Sequence, residues 1–177
     1  MNKLCQLAYL EIRRIGSIRQ YLFVEATRTF VPSLVLSKLD YCNAVLAGSP
    51  HVLLDGIQRV INCSARLLYK APKSAHITPL LFYRLWLPIS SRIQYKIALT
   101  CFHIVSGTAP LYLSELLHLY SPSRSPRSSS DTRIFCVPRM CRSTLWGRSY
   151  QYFGPVICNS LPFSVRHASY SPLSSQN

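Results

Sequence analysis

Residues 49–70, SPHVLLDGIQRVINCSARLLYK, set Leu53, Ile57, Val60, Ile61, Ser64 and Leu68 on one face at the period of an α-helix. Ser49 is placed to cap its N-terminus, and Pro50 falls in its first turn, where a missing N–H is tolerated. Gly56 inside the run weakens it by about 1 kcal/mol. The same period recurs at 89–105, where Ile89, Ile93, Ile97, Cys101 and Ile104 share a face and Ser106-Gly107 supplies a stop. Residues 3–15 carry Leu4, Ala8, Ile12 and Ile15 at helical spacing, ended by Gly16-Ser17. A further helix is predicted over about 24–46, kinked at Pro32, whose lost donor costs about 3 kcal/mol in a straight helix. A short helix near 78–84 follows the break at Lys70-Ala71-Pro72-Lys73.

These periods predict a mainly α fold, a bundle of about four helices over residues 1–119. A Ser/Pro/Arg linker follows at 120–133, then a small, irregular C-terminal extension at 134–177 containing little strand. Within that extension, 134–138 reads as a short strand and 150–159 as a short helix interrupted at Gly154-Pro155. Residues 169–177 read as a polar tail.

Lys and Arg number 20 against six Asp and Glu, a formal charge of +14 on 177 residues. So large an excess points to a polyanionic partner, nucleic acid first. It also argues against carboxylate-based metal catalysis, since six acids serve the whole chain. The seven cysteines are irregularly spaced and nothing reads as a secretory leader, so an intracellular, reducing compartment is expected. The longest stretch free of charged residues, 97–114, contains His103 and the Ser106–Pro110 break, and no membrane segment is expected.

Several short strings occur together. They include Leu36-Ser37-Lys38-Leu39-Asp40-Tyr41-Cys42-Asn43 with Leu46-Ala47-Gly48, Gln58-Arg59-Val60 with Ala65-Arg66-Leu67, and His76-Ile77-Thr78-Pro79-Leu80-Leu81. Trp86-Leu87-Pro88-Ile89, Arg92-Ile93 with Tyr95-Lys96, Tyr112-Leu113-Ser114-Glu115-Leu116-Leu117 and Tyr120-Ser121-Pro122-Ser123-Arg124-Ser125 come next. Trp146-Gly147-Arg148 and Asn159-Ser160-Leu161-Pro162 close the series. Their order over residues 3–173 resembles the post-palm part of a LINE-type, jockey-like non-LTR retrotransposon reverse transcriptase. The resemblance implies thumb-like helices and a C-terminal extension, with fingers, palm and endonuclease lying upstream of Met1. It therefore implies a truncated remnant of an RNA-directed DNA polymerase, and helix faces left without the palm they pack on. Pro32, Gly56 and Trp146 depart from the family's pattern, and the chain stops short of the family's closing basic helix.

Polymerisation needs paired carboxylates around two metal ions. No two acids are adjacent here, and Asp40 reads as a structural residue that caps or pairs with Arg. The chain is thus expected to be no enzyme, with no catalytic residue and no cofactor. Cys136 and Cys141 with Cys158 and His167 fit no tight zinc pattern, so free thiols and no metal site are expected. Cys63 and Cys101 read as small core residues.

One feature carries binding chemistry. Asp55, Arg59, Asn62, Arg66 and Lys70 step by four, three, four and four along the helix at 49–70, opposite its apolar face, and Lys73 and His76 extend the stripe. Arg92 and Lys96 form a second, weaker stripe. Forked Arg contacts and a neutral Asn donor suit the phosphate backbone of an RNA or DNA duplex. The bland alternative is a solvated face with Asp55 paired to Arg59. Two other functional readings stand beside nucleic-acid binding. One is a helical module docking on another protein, or on the rest of a reverse transcriptase, through exposed helix faces. The other is a decayed reading-frame product with no selected role.

Overall fold

A computed structural model describes residues 2–41, 43–120, 134–139 and 149–166. The chain is mainly α with almost no strand, as the periodicity predicts. It forms two compact units, Met1–Ile93 and Gln94–Asn177. Residues 121–133 of the predicted 120–133 linker lie outside the described residues, as do Trp146 and the tail from 167.

In the first unit, α1 (Asn2–Ile18) continues through Gly16 instead of ending there. Gly16 lies against Leu67, with 3.7 Å between the Leu67 methyl and a Cβ built at the glycine, so helix packing holds the last turn in place. The next helical stretch is broken where Pro32 predicts a kink. It comprises α2 (Val24–Val31), a π-turn at Pro32–Leu36, and α3 (Ser37–Asp40). Pro32 has no N–H for the Arg28 carbonyl, and Arg84 donates to that oxygen from Nη2 at 3.5 Å. A single 3₁₀ turn, Asn43–Leu46, then leads to α4 (His51–Tyr69).

The helix α4 matches its predicted apolar face. Ile57, Val60, Ile61, Ser64 and Leu68 are buried with Ala65, while Leu53 stays exposed. Pro50, not Ser49, occupies the N-cap position, and no side chain caps the helix. Cys5 lies against Gly56 and Gly16 against Leu67, so α1 and α4 run parallel in constant register. Helix α3 returns antiparallel beside α1, joined by Lys38 Nζ on Glu11 Oε1 at 3.0 Å. The core between them holds Ala8, Ile15, Val31, Val35, Leu39, Ile57 and Ile61. Helix α5 (Ile77–Tyr83) packs on α4, and α6 (Ile89–Val105) begins beyond it.

In the second unit, Gly107 turns the chain at φ +69° after α6, and α7 (Leu111–Ser114) follows. The predicted strand at 134–138 is reduced to one antiparallel bridge, Leu119 with Phe135. The bridge is two bonds, Tyr120 N–H to Ile134 O at 2.7 Å and Cys136 N–H to His118 O at 2.8 Å, and the Asn159 amide takes both backbone groups of Phe135, at 2.9 Å each. Helix α8 (Tyr150–Ser160) runs through Gly154-Pro155 without interruption. Both residues are buried there, and the packing offsets the donor that Pro155 lacks. A last turn, α9, covers Phe163–Arg166.

Candidate nucleic-acid interface

The stripe on α4 is real as a helical register, but its two edges meet different neighbours. On the edge toward α5, Asn62 Oδ1 accepts from Gln58 Nε2 at 2.9 Å, and Gln58 Oε1 accepts from the Ile89 N–H at 2.9 Å. Gln58 therefore satisfies an orphan donor at the start of α6, and Asn62 fixes its amide. Arg66 Nη2 donates to the Ala75 carbonyl at 3.5 Å, closing the loop after α4. Asn62 and Arg66 are thus structural ties.

On the edge toward α1 the side chains stay free for solvent. Arg59, Lys70 and Lys73 are exposed, and among the described residues no ion pair joins Asp55 to Arg59. Arg59 stands within electrostatic reach of Tyr9 on α1. Burial pushes the Tyr9 phenol above its ordinary value, its hydrogen bond with Cys63 adds to this, and the Arg59 charge opposes both. Lys70 ends α4 in the left-handed region at φ 51°, and the Ala71 N–H donates back to Arg66 O at 3.0 Å. That turn aims Lys70 and Lys73 past the helix end.

One base escaped the sequence reading. Arg13 is exposed and follows Tyr9 by one turn on α1, on the side that meets α4. The spacing of four from Tyr9 was visible, but that α1 lies parallel to α4 was not. Arg13, Arg59, Lys70 and Lys73 thus border one side of the α1–α4 pair. Three acids of this unit are engaged elsewhere, Glu11 with Arg14 and Lys38, Glu25 with Arg28, and Asp40 with Arg92, while Asp55 is exposed one turn from Arg59.

The second stripe does not survive as a stripe. Arg92 donates from Nη1 to Asp40 Oδ2 at 2.6 Å and from Nε to Leu87 O at 2.9 Å, and its side chain is 15% exposed. Asp40 has the structural partner expected of it. Lys96 is half-buried, and its carbonyl accepts from Thr100 Oγ1.

Among the described residues no group of His, Cys, Asp or Glu is arranged to hold a metal ion, and Cys141 and His167 lie outside them. No described helix is long and apolar enough to cross a membrane. Comparison with protein-family models, with curated proteins and with solved structures finds no match to this chain.

Proposed function

We propose that this chain binds the phosphate backbone of duplex nucleic acid without sequence preference, through Arg13, Arg59, Lys70 and Lys73 on the α1–α4 pair. The observation that carries it is the separation of charge within one unit. The ion pairs lie at Glu11 with Arg14 and Lys38, at the start of α2 and at the first turn of α6, while these four bases are exposed and, among the described residues, in no ion pair, with Asp55 a single acid one turn from Arg59. The resemblance of the ordered strings supports the same reading, because a polymerase thumb holds a template–primer duplex. The chain is read as the post-palm remnant of a LINE-type reverse transcriptase, with no polymer synthesis of its own.

Anisotropy of labelled duplexes of unrelated sequence, titrated with salt, tests this. Four phosphate contacts give a slope of roughly −3 to −4 in log K against log salt. Equal affinities across sequences with that steepness support the proposal, and salt-independent or absent binding removes it.

A second reading, docking on a protein, rests on exposed apolar side chains of the first unit. Phe23 is 86% exposed, Tyr21 80% and Leu85 83%, with Phe82 and Tyr83 close behind. Lone exposed apolar residues are ordinary, but several on neighbouring turns are not. On this reading, Phe82→Ser with Leu85→Ser removes an association that salt does not weaken, and leaves duplex affinity as it was.

A further inference from the structure

Tyr150, Gly154 and Cys158 recur at every fourth residue of α8 and so lie along one of its faces. Cys101, on α6, meets all three. Its Sγ lies 3.3 Å from Tyr150 Oη. A Cβ built at Gly154 would stand 3.4 Å from the same sulfur and 3.4 Å from a Leu117 methyl, so glycine is what lets α8 approach this closely. One turn on, the Cys158 thiol hydrogen-bonds Cys101. Cys101 is 1% exposed and Cys158 5%. Both are free thiols.

A small residue filling a core gap has no need of a second thiol and a phenol at its sulfur. The two contacts also make the sulfurs unequal. Hydrogen bonds from Cys158 and Tyr150 stabilise the Cys101 thiolate and draw its pKa below the ordinary value. The Cys158 thiol is pushed the other way, by its bond to Cys101 first and by burial second. Cys101 is the sulfur that the Tyr150 phenol also touches, and Cys158 stands beside it to take up the second bond.

We infer that Cys101 and Cys158 are an oxidisable dithiol, which hydrogen peroxide converts to a disulfide joining α6 to α8. The Cys101 thiolate attacks one peroxide oxygen, the O–O bond breaks, and hydroxide leaves to take up a proton as water. Cys101 is then a sulfenic acid, oxidised by two electrons. The Cys158 sulfur attacks the Cys101 sulfur, the S–O bond breaks, and the hydroxide departs as water with the Cys158 proton. In sum, two thiols and one peroxide give one disulfide and two waters. Tyr150 is half-buried and is the member of the cluster that reaches solvent. The product ties α8, whose Asn159 already holds Phe135, covalently to α6.

The test uses the full reduced chain, titrated with hydrogen peroxide while folded, then alkylated, digested and weighed. The expected first product is the Cys101 peptide joined to the Cys158 peptide, lighter than the sum by two hydrogens. Cys158→Ser, and independently Cys158→Ala, should instead leave a sulfenic acid on Cys101 that dimedone captures. Cys101→Ser should give no dimedone adduct at Cys158, and Tyr150→Phe should slow the link several-fold. The inference is overturned if Cys5, Cys63 or Cys136 oxidise first while Cys101 and Cys158 stay reduced. It is equally overturned if the Cys101–Cys158 link forms only after denaturation.

Discussion

Arg92 Nη1 lies 2.6 Å from Asp40 Oδ2, across 52 positions of sequence, and ties the end of α3 to the first turn of α6. The same carboxylate receives the Asn43 amide at 3.2 Å on its other oxygen. This pair decides two residues at once: Asp40 is a structural anchor, and Arg92 has its charge committed inside the unit. A charge-assisted bond of this kind contributes about 1–3 kcal/mol. Arg92→Ala should therefore lower the unfolding free energy by about that much in urea denaturation, while the salt slope for duplex binding is unchanged.

Arg19 is buried, and among the described residues no acid pairs with it. It donates from Nη2 to Leu68 O and from Nη1 to Leu22 O, each at 3.3 Å. Because α1 and α4 are parallel and end level with each other, this guanidinium sits where two helix dipoles present their negative ends. Arg19→Met should cost about 2–3 kcal/mol of stability, and Arg19→Lys nearly as much, since an ammonium lacks the fork. Chemical denaturation of the two variants checks this, and a neutral Arg19→Met would refute it.

Two helices end on residues in the left-handed region that are not glycine, Lys70 at φ 51° and Leu85 at φ 53°. In both, the following N–H reaches back five residues, Ala71 to Arg66 O and Trp86 to Leu81 O, at 3.0 and 2.9 Å. Glycine is favoured at this position because a Cβ is strained there. Lys70→Gly and Leu85→Gly should each raise stability by about 1 kcal/mol. Only the first should also weaken duplex binding, so thermal melts and anisotropy on the same pair of variants separate strain from charge.

Lys38 and Arg14 hold the Glu11 carboxyl below its ordinary value of 4.5, the hydrogen bond to Lys38 contributing most. A depressed native pKa gives stability that is complete above the unfolded value and is lost as pH falls through the native one. Glu11→Gln should therefore be less stable than the parent at about pH 6, and the gap should close by about pH 3. Urea midpoints across that range read it directly, and a gap that widens toward acid would contradict the assignment.

The apolar faces at 57–68 and 89–101 were legible because each residue there answers to one period and one neighbouring core. What the stripe does was not, because Asn62 and Arg66 are decided by Gln58, Ile89 and Ala75, partners that no spacing on α4 reveals. Gly16 and Gly154-Pro155 read as stops for the same reason. Their local preference is to break a helix, and contacts with Leu67 and with Cys101 and Leu117 override it. Both left-handed helix ends were hidden too, since neither Lys nor Leu advertises a position that glycine prefers. The contact between Cys101 and Cys158 spans 57 residues and leaves no mark on either helix's pattern.

The central claim is that Arg59, Lys70 and Lys73 touch phosphate, whereas Asn62, Arg66 and Arg92 hold the fold. Salt titrations of duplex binding by Arg59→Ala/Lys70→Ala/Lys73→Ala and by Asn62→Ala/Arg92→Ala measure this most directly. The first variant should lose roughly 2–3 units of the log–log slope at unchanged stability. The second should keep the parent's slope and lose stability. A triple variant that follows the parent across the titration would contradict the account.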